Sequence, residues 1–213
     1  MVKIAPSTDP ANNFEDLINY VKEIENVAHF LHVDVMDSNF VKKTNFDETY
    51  VSKINSNTEL MLDVHLMVKE PDVQKYIDAG ANVVTVHFEA YENKKKLIKT
   101  LKKIRETKTL VGLSLKPNTL VEELASFIDY CDIILIMSVE PGSSGQKFLD
   151  NTYSRILSLK EMIGNKNVQI EVDGGITPKI ASELSKLGVN ILVSGSYVYK
   201  SKDRVKAIKS LSF

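Results

Sequence analysis

Three observations in the sequence predict an α/β chain folded as a single (β/α)8 TIM barrel, one domain spanning residues 1–213. Eight short runs rich in Val, Ile and Leu recur along the chain, longer amphipathic segments separate them, and nearly every run ends in a polar residue. Eight strands alternating with helices imply parallel pairing through right-handed crossovers, and the length is economical but sufficient for a barrel. An open doubly wound sheet would gather its polar residues at one switch point. A barrel gathers its chemistry at the C-terminal ends of strands all round the ring. Here Ser7, His32, Asp34, His65, His87, Glu89, Ser138, Asp173, Ser194 and Ser196 are distributed over the runs, which selects the barrel.

The elements follow in order. The first run is residues 2–6 (VKIAP), and segment 12–25 then places Phe14, Leu17, Ile18, Val21 and Ile24 on one helical stripe. Runs 29–35 (HFLHVDV) and 60–66 (LMLDVHL) come next. Pro71 opens and Gly80 closes a helical segment before the run 82–88 (NVVTVHF). Segment 94–105 aligns Leu97, Ile98, Leu101 and Ile104 ahead of the run 109–115 (TLVGLSL). Runs 132–138 (DIILIMS) and 168–172 (VQIEV) follow. Thr177-Pro178 is an N-cap with proline at the first helical position, Gly188 is a helix stop, and 190–194 (NILVS) is the last run. Such short, continuously apolar runs suit strands buried on both faces.

Composition narrows the function classes. Hydrophobic residues make up 43% and charged residues 26%, ordinary for a globular chain, and 27 basic against 28 acidic residues leave a net charge of -1. That balance argues against a nucleic-acid partner or a membrane-binding patch, and Lys94-Lys95-Lys96 reads as the solvated face of a helix. A homo-oligomer is compatible with the composition, which fixes no oligomeric state. The one cysteine, Cys131, permits no internal disulfide and fits a reducing cytoplasm. It precedes an apolar run and reads as a small buried residue rather than a nucleophile. The start, MVKIAPSTDP, is too poor in apolar residues for a signal peptide, and no 18-residue apolar run occurs.

The polar residues inside the runs carry the chemistry. In HVDVMD, His32 and Asp34 are two apart on a strand and share a face, while Val33 and Val35 share the other. Asp63 and His65 share a face in LDVHLM, and Asp173 stands at the tip of EVDGG. Polar groups within an apolar run must face the barrel mouth or a partner. Imidazole with carboxylate suits a divalent ion such as zinc, iron, manganese or cobalt, although a strand-end histidine can equally be held by hydrogen bonds alone. His29 opens its run and reads as a rim residue.

The motifs HVDVMD, LDVHLMV with Pro71 soon after, VEPGSSGQKF, EVDGGI and VSGS occur in this order, with IAPS at the start and AGA from Ala79. From residue 4 to about 200 the pattern resembles the ribulose-phosphate 3-epimerases and the related allulose-6-phosphate epimerases. The resemblance implies a (β/α)8 barrel with His32, Asp34, His65 and Asp173 on one divalent metal and Asp34 and Asp173 as the proton-transfer pair. It implies further that Met36, Met67 and Met137, whose plain reading is core filling, lie near the substrate, and that Ser7 contacts it. Inverting a carbon beside a ketone needs two acid/base groups on opposite sides of a planar enediolate, because a single base returns the proton to the face it left. A Lewis-acidic ion stabilises the enediolate's charge.

The phosphate of such a substrate is expected on three glycine-rich loops after the sixth, seventh and eighth strands: Gly142, Ser143, Ser144 and Gly145; Gly174 and Gly175; Gly195 and Ser196. Departures from the family pattern cluster beside the mouth. Ser38-Asn39-Phe40-Val41-Lys42-Lys43 stands for Gly-His-Phe-Val-Pro-Asn, Ser143-Ser144 for Phe-Gly, and Thr8-Asp9-Pro10 follows APS. They leave the metal and proton-transfer positions intact and bear on the choice of sugar. Ribulose 5-phosphate is the expected substrate, with allulose 6-phosphate as the alternative. A catalytically silent sugar-phosphate-binding barrel is the competing reading from another class. Phosphate-binding barrels of the decarboxylase or tryptophan-pathway type lack the His-x-Asp plus His set.

Overall fold

In the computed structural model, which describes residues 1–213, every strand falls within one residue of the run that specifies it. The order is β1 (Lys3–Pro6), α1 (Phe14–Ile24), β2 (Phe30–Met36), α2 (Glu48–Asn55), β3 (Met61–Met67), α3 (Val73–Asp78), β4 (Val83–His87), α4 (Lys94–Arg105), β5 (Leu110–Leu115) and β6 (Ile133–Met137). There follow α5 (Thr152–Ile163), β7 (Gln169–Asp173), α6 (Pro178–Leu187), β8 (Ile191–Ser194), α7 (Ser196–Tyr199) and α8 (Arg204–Lys209). All pairs are parallel, in the order β1-β8-β7-β6-β5-β4-β3-β2. The seam between β1 and β2 is closed by the Ser7–His32 bridge, by Thr8 N donating to His32 O at 2.9 Å and by His29 N donating to Ile4 O at 3.0 Å. The ring is therefore a closed (β/α)8 barrel.

Local chemistry sets the helix ends. Asn13 caps α1 by accepting from Asp16 N, Thr177 caps α6, and Gly188 ends α6 in the left-handed region at φ 85°. Three expectations are adjusted. Asp72, not Pro71, caps α3, because its carboxylate accepts from Gln74 N whereas proline offers no such acceptor. Lys94 is not on the solvated face. Its Nζ turns back to donate to Phe88 O and Tyr91 O at 2.9 and 3.0 Å and lies 3.4 Å from the Phe88 ring centroid, while Lys95 and Lys96 are exposed. Between β5 and β6 only two 3-10 turns form, Val121–Leu124 and Ile128–Tyr130. The guanidinium of Arg155, on α5, braces this gap by donating to Met137 O and Lys116 O, both at 2.8 Å.

Alternation along the strands divides the core into two. Outward residues such as Val33, Val35, Val64, Val84, Val111, Ile134 and Leu192 pack with the helices into one large apolar layer. Inward, Phe30, Val83, Ile133 and Ile191 begin their strands and, with Ala5 and Val193, form an apolar plug. Above the plug the inward positions turn polar: His32, Asp63, Thr85, Ser114 and Glu171 are all buried. Cys131 is buried as expected. Its thiol donates to Phe127 O at 3.3 Å, and burial pushes it up to about 12, which removes it as a nucleophile. No helix is long and apolar enough to cross a membrane.

A repeated device fixes the register beneath the site. The residue just before each even-numbered strand clamps the preceding strand at two points. His29 N donates to Ile4 O while its Nδ1 accepts from Ile4 N at 3.2 Å. Asn82 does the same to Leu62, Asp132 to Val111 and Asn190 to Ile170, with side-chain acceptors at 2.7–2.8 Å. His29 is thus a rim residue with a structural task. Replacing Asn190 by Ala strips the acceptor from Ile170 N–H, a loss of about 1–3 kcal/mol. The expected reading is a lower urea midpoint with an unchanged denaturant slope.

Candidate active site

β2 and β3 pair in exact step, His32 with Asp63, Asp34 with His65 and Met36 with Met67. All six side chains therefore stand on the inner face in two rows. His32 Nδ1 donates to Asp63 Oδ2 at 2.5 Å, which turns Nε2 upward, 3.5 Å from Asp34 Oδ1 and 3.3 Å from His65 Nδ1. His65 Nδ1 lies 3.2 Å from the same Asp34 oxygen. Asp173, at the tip of β7, completes the group: His32, Asp34, His65 and Asp173 each present one donor atom, all within 4.8 Å of one another.

This donor set fits a divalent metal. Four ligands bound at about 2.0–2.1 Å round a tetrahedral ion stand about 3.3–3.4 Å apart, close to the separations found between His32, Asp34 and His65. Two imidazoles and two carboxylates also match the borderline character of such ions.

The electrostatics separate the two carboxyls. Burial alone would raise Asp34, but the adjacent charged His32 prevails and holds its carboxyl well below the usual range. The Ser7 hydroxyl also donates to Asp34 Oδ2 at 2.6 Å. Asp173 moves the other way, raised by burial and then by the charge of Asp34. Burial opposes the charge on His32 as well, yet Asp63 and Asp34 keep it protonated well above its ordinary value in the metal-free cluster.

Above the cluster opens a pocket at the barrel mouth. Ser7, Asp34, Met36, Met67, Met137 and Asp173 line one part of it, and Gly142, Ser143, Ser144, Gly145, Gly174, Gly175, Gly195 and Ser196 line another. His32 and His65 are wholly buried beneath and do not line it. The amides of Gly174, Gly175 and Gly195 donate to no protein acceptor. Gly175 is required twice over: its φ is 63°, and a Cβ would lie 2.5 Å from Phe148 N. Ser143 and Ser144 need no such freedom, since the left-handed positions of this loop are Gly142 and Gly145. Ser138 faces away from this chemistry, its hydroxyl donating to Asp173 O and Gly174 O at 2.7 Å.

Three of the departures from the family pattern meet. Asp9 accepts from Lys43 Nζ at 2.5 Å and from Ser144 N at 2.9 Å, joining the loops after β1, β2 and β6 across the mouth. Lys42 is exposed. The sequence places Asp63 on one face with His65 and does not single out Glu171. Glu171 is wholly buried, neither carboxylate oxygen has a hydrogen-bond partner, and Oε1 is 3.9 Å from His32 Nδ1. Burial, then the charge of Asp63, raises it well above the ordinary value. His87 and Glu89 were marked as strand-end residues without a role. His87 Nε2 lies 2.8 Å from His65 Nε2, and His87 Nδ1 is 3.2 Å from Glu89 Oε2.

Comparison with known proteins agrees with this geometry. Residues 3–199 match the model of the ribulose-phosphate 3 epimerase family. A ribulose-phosphate 3-epimerase of Bacillus subtilis is 38% identical over 99% of this chain and 98% of its own length. One of Helicobacter pylori is 37% identical over 99% and 96%. The chloroplastic ribulose-5-phosphate-3-epimerase of Arabidopsis thaliana is 38% identical over 98% of this chain and 75% of the relative. Among solved structures, 3-keto-L-gulonate-6-phosphate decarboxylase from Vibrio cholerae superposes with a TM-score of 0.73 at 12% identity, covering 99% of this chain and 95% of that one. At that identity the likeness concerns the fold alone. Fold and matches together define an isomerase of the epimerase class acting on carbohydrates. The chain belongs to the ribulose-phosphate 3-epimerase family.

Glu89 gives a prediction with a definite sign. Burial would raise its carboxyl, but the hydrogen bond from His87 and the donors Thr119 and Lys116 hold it down to about 2 from the ordinary 4.5. The folded state therefore binds fewer protons than the unfolded state between these values. Its stabilisation is present above pH 4.5 and is lost as pH falls through about 2. In metal-free protein, Glu89→Gln is expected to cost on the order of 2–3 kcal/mol at neutral pH. Urea titrations at pH 6 and pH 3 should show the gap to wild type narrowing at the lower value.

Proposed function

We propose that this chain interconverts D-ribulose 5-phosphate and D-xylulose 5-phosphate by epimerisation at carbon 3, with Asp34 and Asp173 as the proton-transfer pair. The observation that carries this reading is that both carboxyls, from β2 and β7, border one cavity, the arrangement that a pair of acid/base groups needs. The ionised carboxylate takes the proton from carbon 3. The electron pair of the C–H bond moves into the C2–C3 bond as the C2 carbonyl oxygen gains charge, which leaves a flat enediolate. The second carboxyl then delivers a proton to the opposite face of carbon 3. In the reverse direction the two exchange roles.

When bound, a divalent ion held by His32, Asp34, His65 and Asp173 supplies Lewis-acid stabilisation of the developing oxyanion, worth several kcal/mol. Zinc, iron, manganese and cobalt all suit this donor set. Ser7 holds Asp34 in place through its 2.6 Å hydrogen bond. Met36 and Met67, packed with Val41, and Met137, packed with Leu135 and Val139, give the reacting carbon apolar walls that limit water. The free amides of Gly174, Gly175 and Gly195, on the wall that also carries Gly142–Gly145 and Ser196, receive the phosphate.

The test offers ribulose 5-phosphate and allulose 6-phosphate in D2O to protein loaded with each of the four ions. Epimerisation of ribulose 5-phosphate with solvent deuterium at carbon 3 is expected, faster than on the six-carbon sugar. Asp34→Asn and Asp173→Asn should each lower kcat about 10²–10⁴-fold. Near-normal turnover by Asp34→Asn would discard the two-base scheme. Faster reaction of allulose 6-phosphate would reassign the substrate, and no exchange with either sugar would mark a silent binding barrel.

A further inference from the structure

His87 ends β4 beside the cluster, wholly buried, and nothing above gives it a task. Its two ring nitrogens have different neighbours: Nε2 is 2.8 Å from His65 Nε2, and Nδ1 is 3.2 Å from Glu89 Oε2. The proton positions follow from valence. An ionised carboxylate only accepts. Glu89 already accepts at Oε1 from Lys116 N at 2.7 Å and from the Thr119 hydroxyl, which fixes its orientation. His87 must therefore donate to Glu89 through Nδ1. A neutral imidazole protonated there carries its lone pair on Nε2, so His87 accepts from His65. His65 then bears its proton on Nε2 and its lone pair on Nδ1. That Nδ1 is the atom facing Asp34 Oδ1 at 3.2 Å and His32 Nε2 at 3.3 Å.

We infer that His87 and Glu89 form a positioning relay that fixes the tautomer of His65 and keeps its Nδ1 lone pair directed at the cation site. This rests on the reading of His65 as a metal ligand. The relay mirrors the simpler support on the neighbouring strand, where Asp63 takes the Nδ1 proton of His32 directly. At β4 an imidazole, His87, stands between His65 and the carboxylate of Glu89. Outer partners of ligating histidines orient the ring and raise its donor strength. The ring of Phe40 lies 4.8 Å from that of His87, centroid to centroid, tilted by 46°.

Nitrogen-15 NMR of histidine-labelled protein reads the tautomers directly, in metal-free wild type and with zinc. His65 is expected as the Nε2–H form and His87 as the Nδ1–H form in both. Either ring in the opposite tautomer overturns the relay, whether or not any variant folds. Cobalt(II) affinity, measured by competition with a chromophoric chelator, gives the second readout. His87→Leu should bind cobalt(II) about 10–100-fold more weakly with an altered visible spectrum. His87→Gln can accept from His65 and donate to Glu89, and should restore both. A folded His87→Leu with wild-type affinity and spectrum would also refute the relay. Wild type that binds no cobalt(II) would instead refute the ligand reading, leaving the tautomer measurement to judge the relay on its own.

Discussion

Charge taken out of water inside a barrel must find its partner on the neighbouring strand. His32, Asp34, Asp63 and His65 all lie in the interior, at 3% exposure or less. A lone ion there would cost several kcal/mol even after relaxation. The level pairing of β2 with β3 meets this constraint by setting an imidazole opposite a carboxylate twice, His32 against Asp63 and Asp34 against His65. A slip of one residue would turn every one of these side chains to the helix layer. Register, cluster and proton affinities are thus one interaction seen at three scales. The backbone clamps by His29, Asn82, Asp132 and Asn190 fix the pairs β1–β2, β3–β4, β5–β6 and β7–β8 from the other end of the strands.

The barrel divides along its axis accordingly. Its base is an apolar plug, its middle a paired polar layer and its top the cavity. The lower layers stiffen the upper ones. Asp63, itself buried, orients His32 through the 2.5 Å hydrogen bond. Asp34 and Asp173 acquire different proton affinities from one shared environment because Asp34 stands against charged His32, while Asp173 stands against the negative charge of Asp34.

At the mouth, residues that look like separate departures from a family pattern prove to be one arrangement. Asp9, Lys43 and Ser144 come from three loops and meet on a single carboxylate. Asp9 is nearly buried whereas Lys43 is 44% exposed. An ion pair so open to solvent adds little stability by itself, but it sets the spacing of the loops. Val41, from the same loop as Lys43, meets Gly142 across the opening, where a Cβ on the glycine would lie 3.1 Å from it.

The sequence by itself determined the strands, the Thr177 and Gly188 ends of α6 and the shared faces of His32 with Asp34 and of Asp63 with His65, because side-chain alternation and capping act over a few residues. His32, Asp34, His65 and Asp173 were legible for the same reason, as polar side chains at alternating positions or at the tip of an apolar run. What it left open was decided by closure of the ring. The contact of His87 with His65, the support of His32 by Asp63 and the bridge at Asp9 all join residues far apart in the chain. Only the stagger and curvature of eight strands bring such groups within hydrogen-bond reach. No local pattern in the sequence encodes that distance.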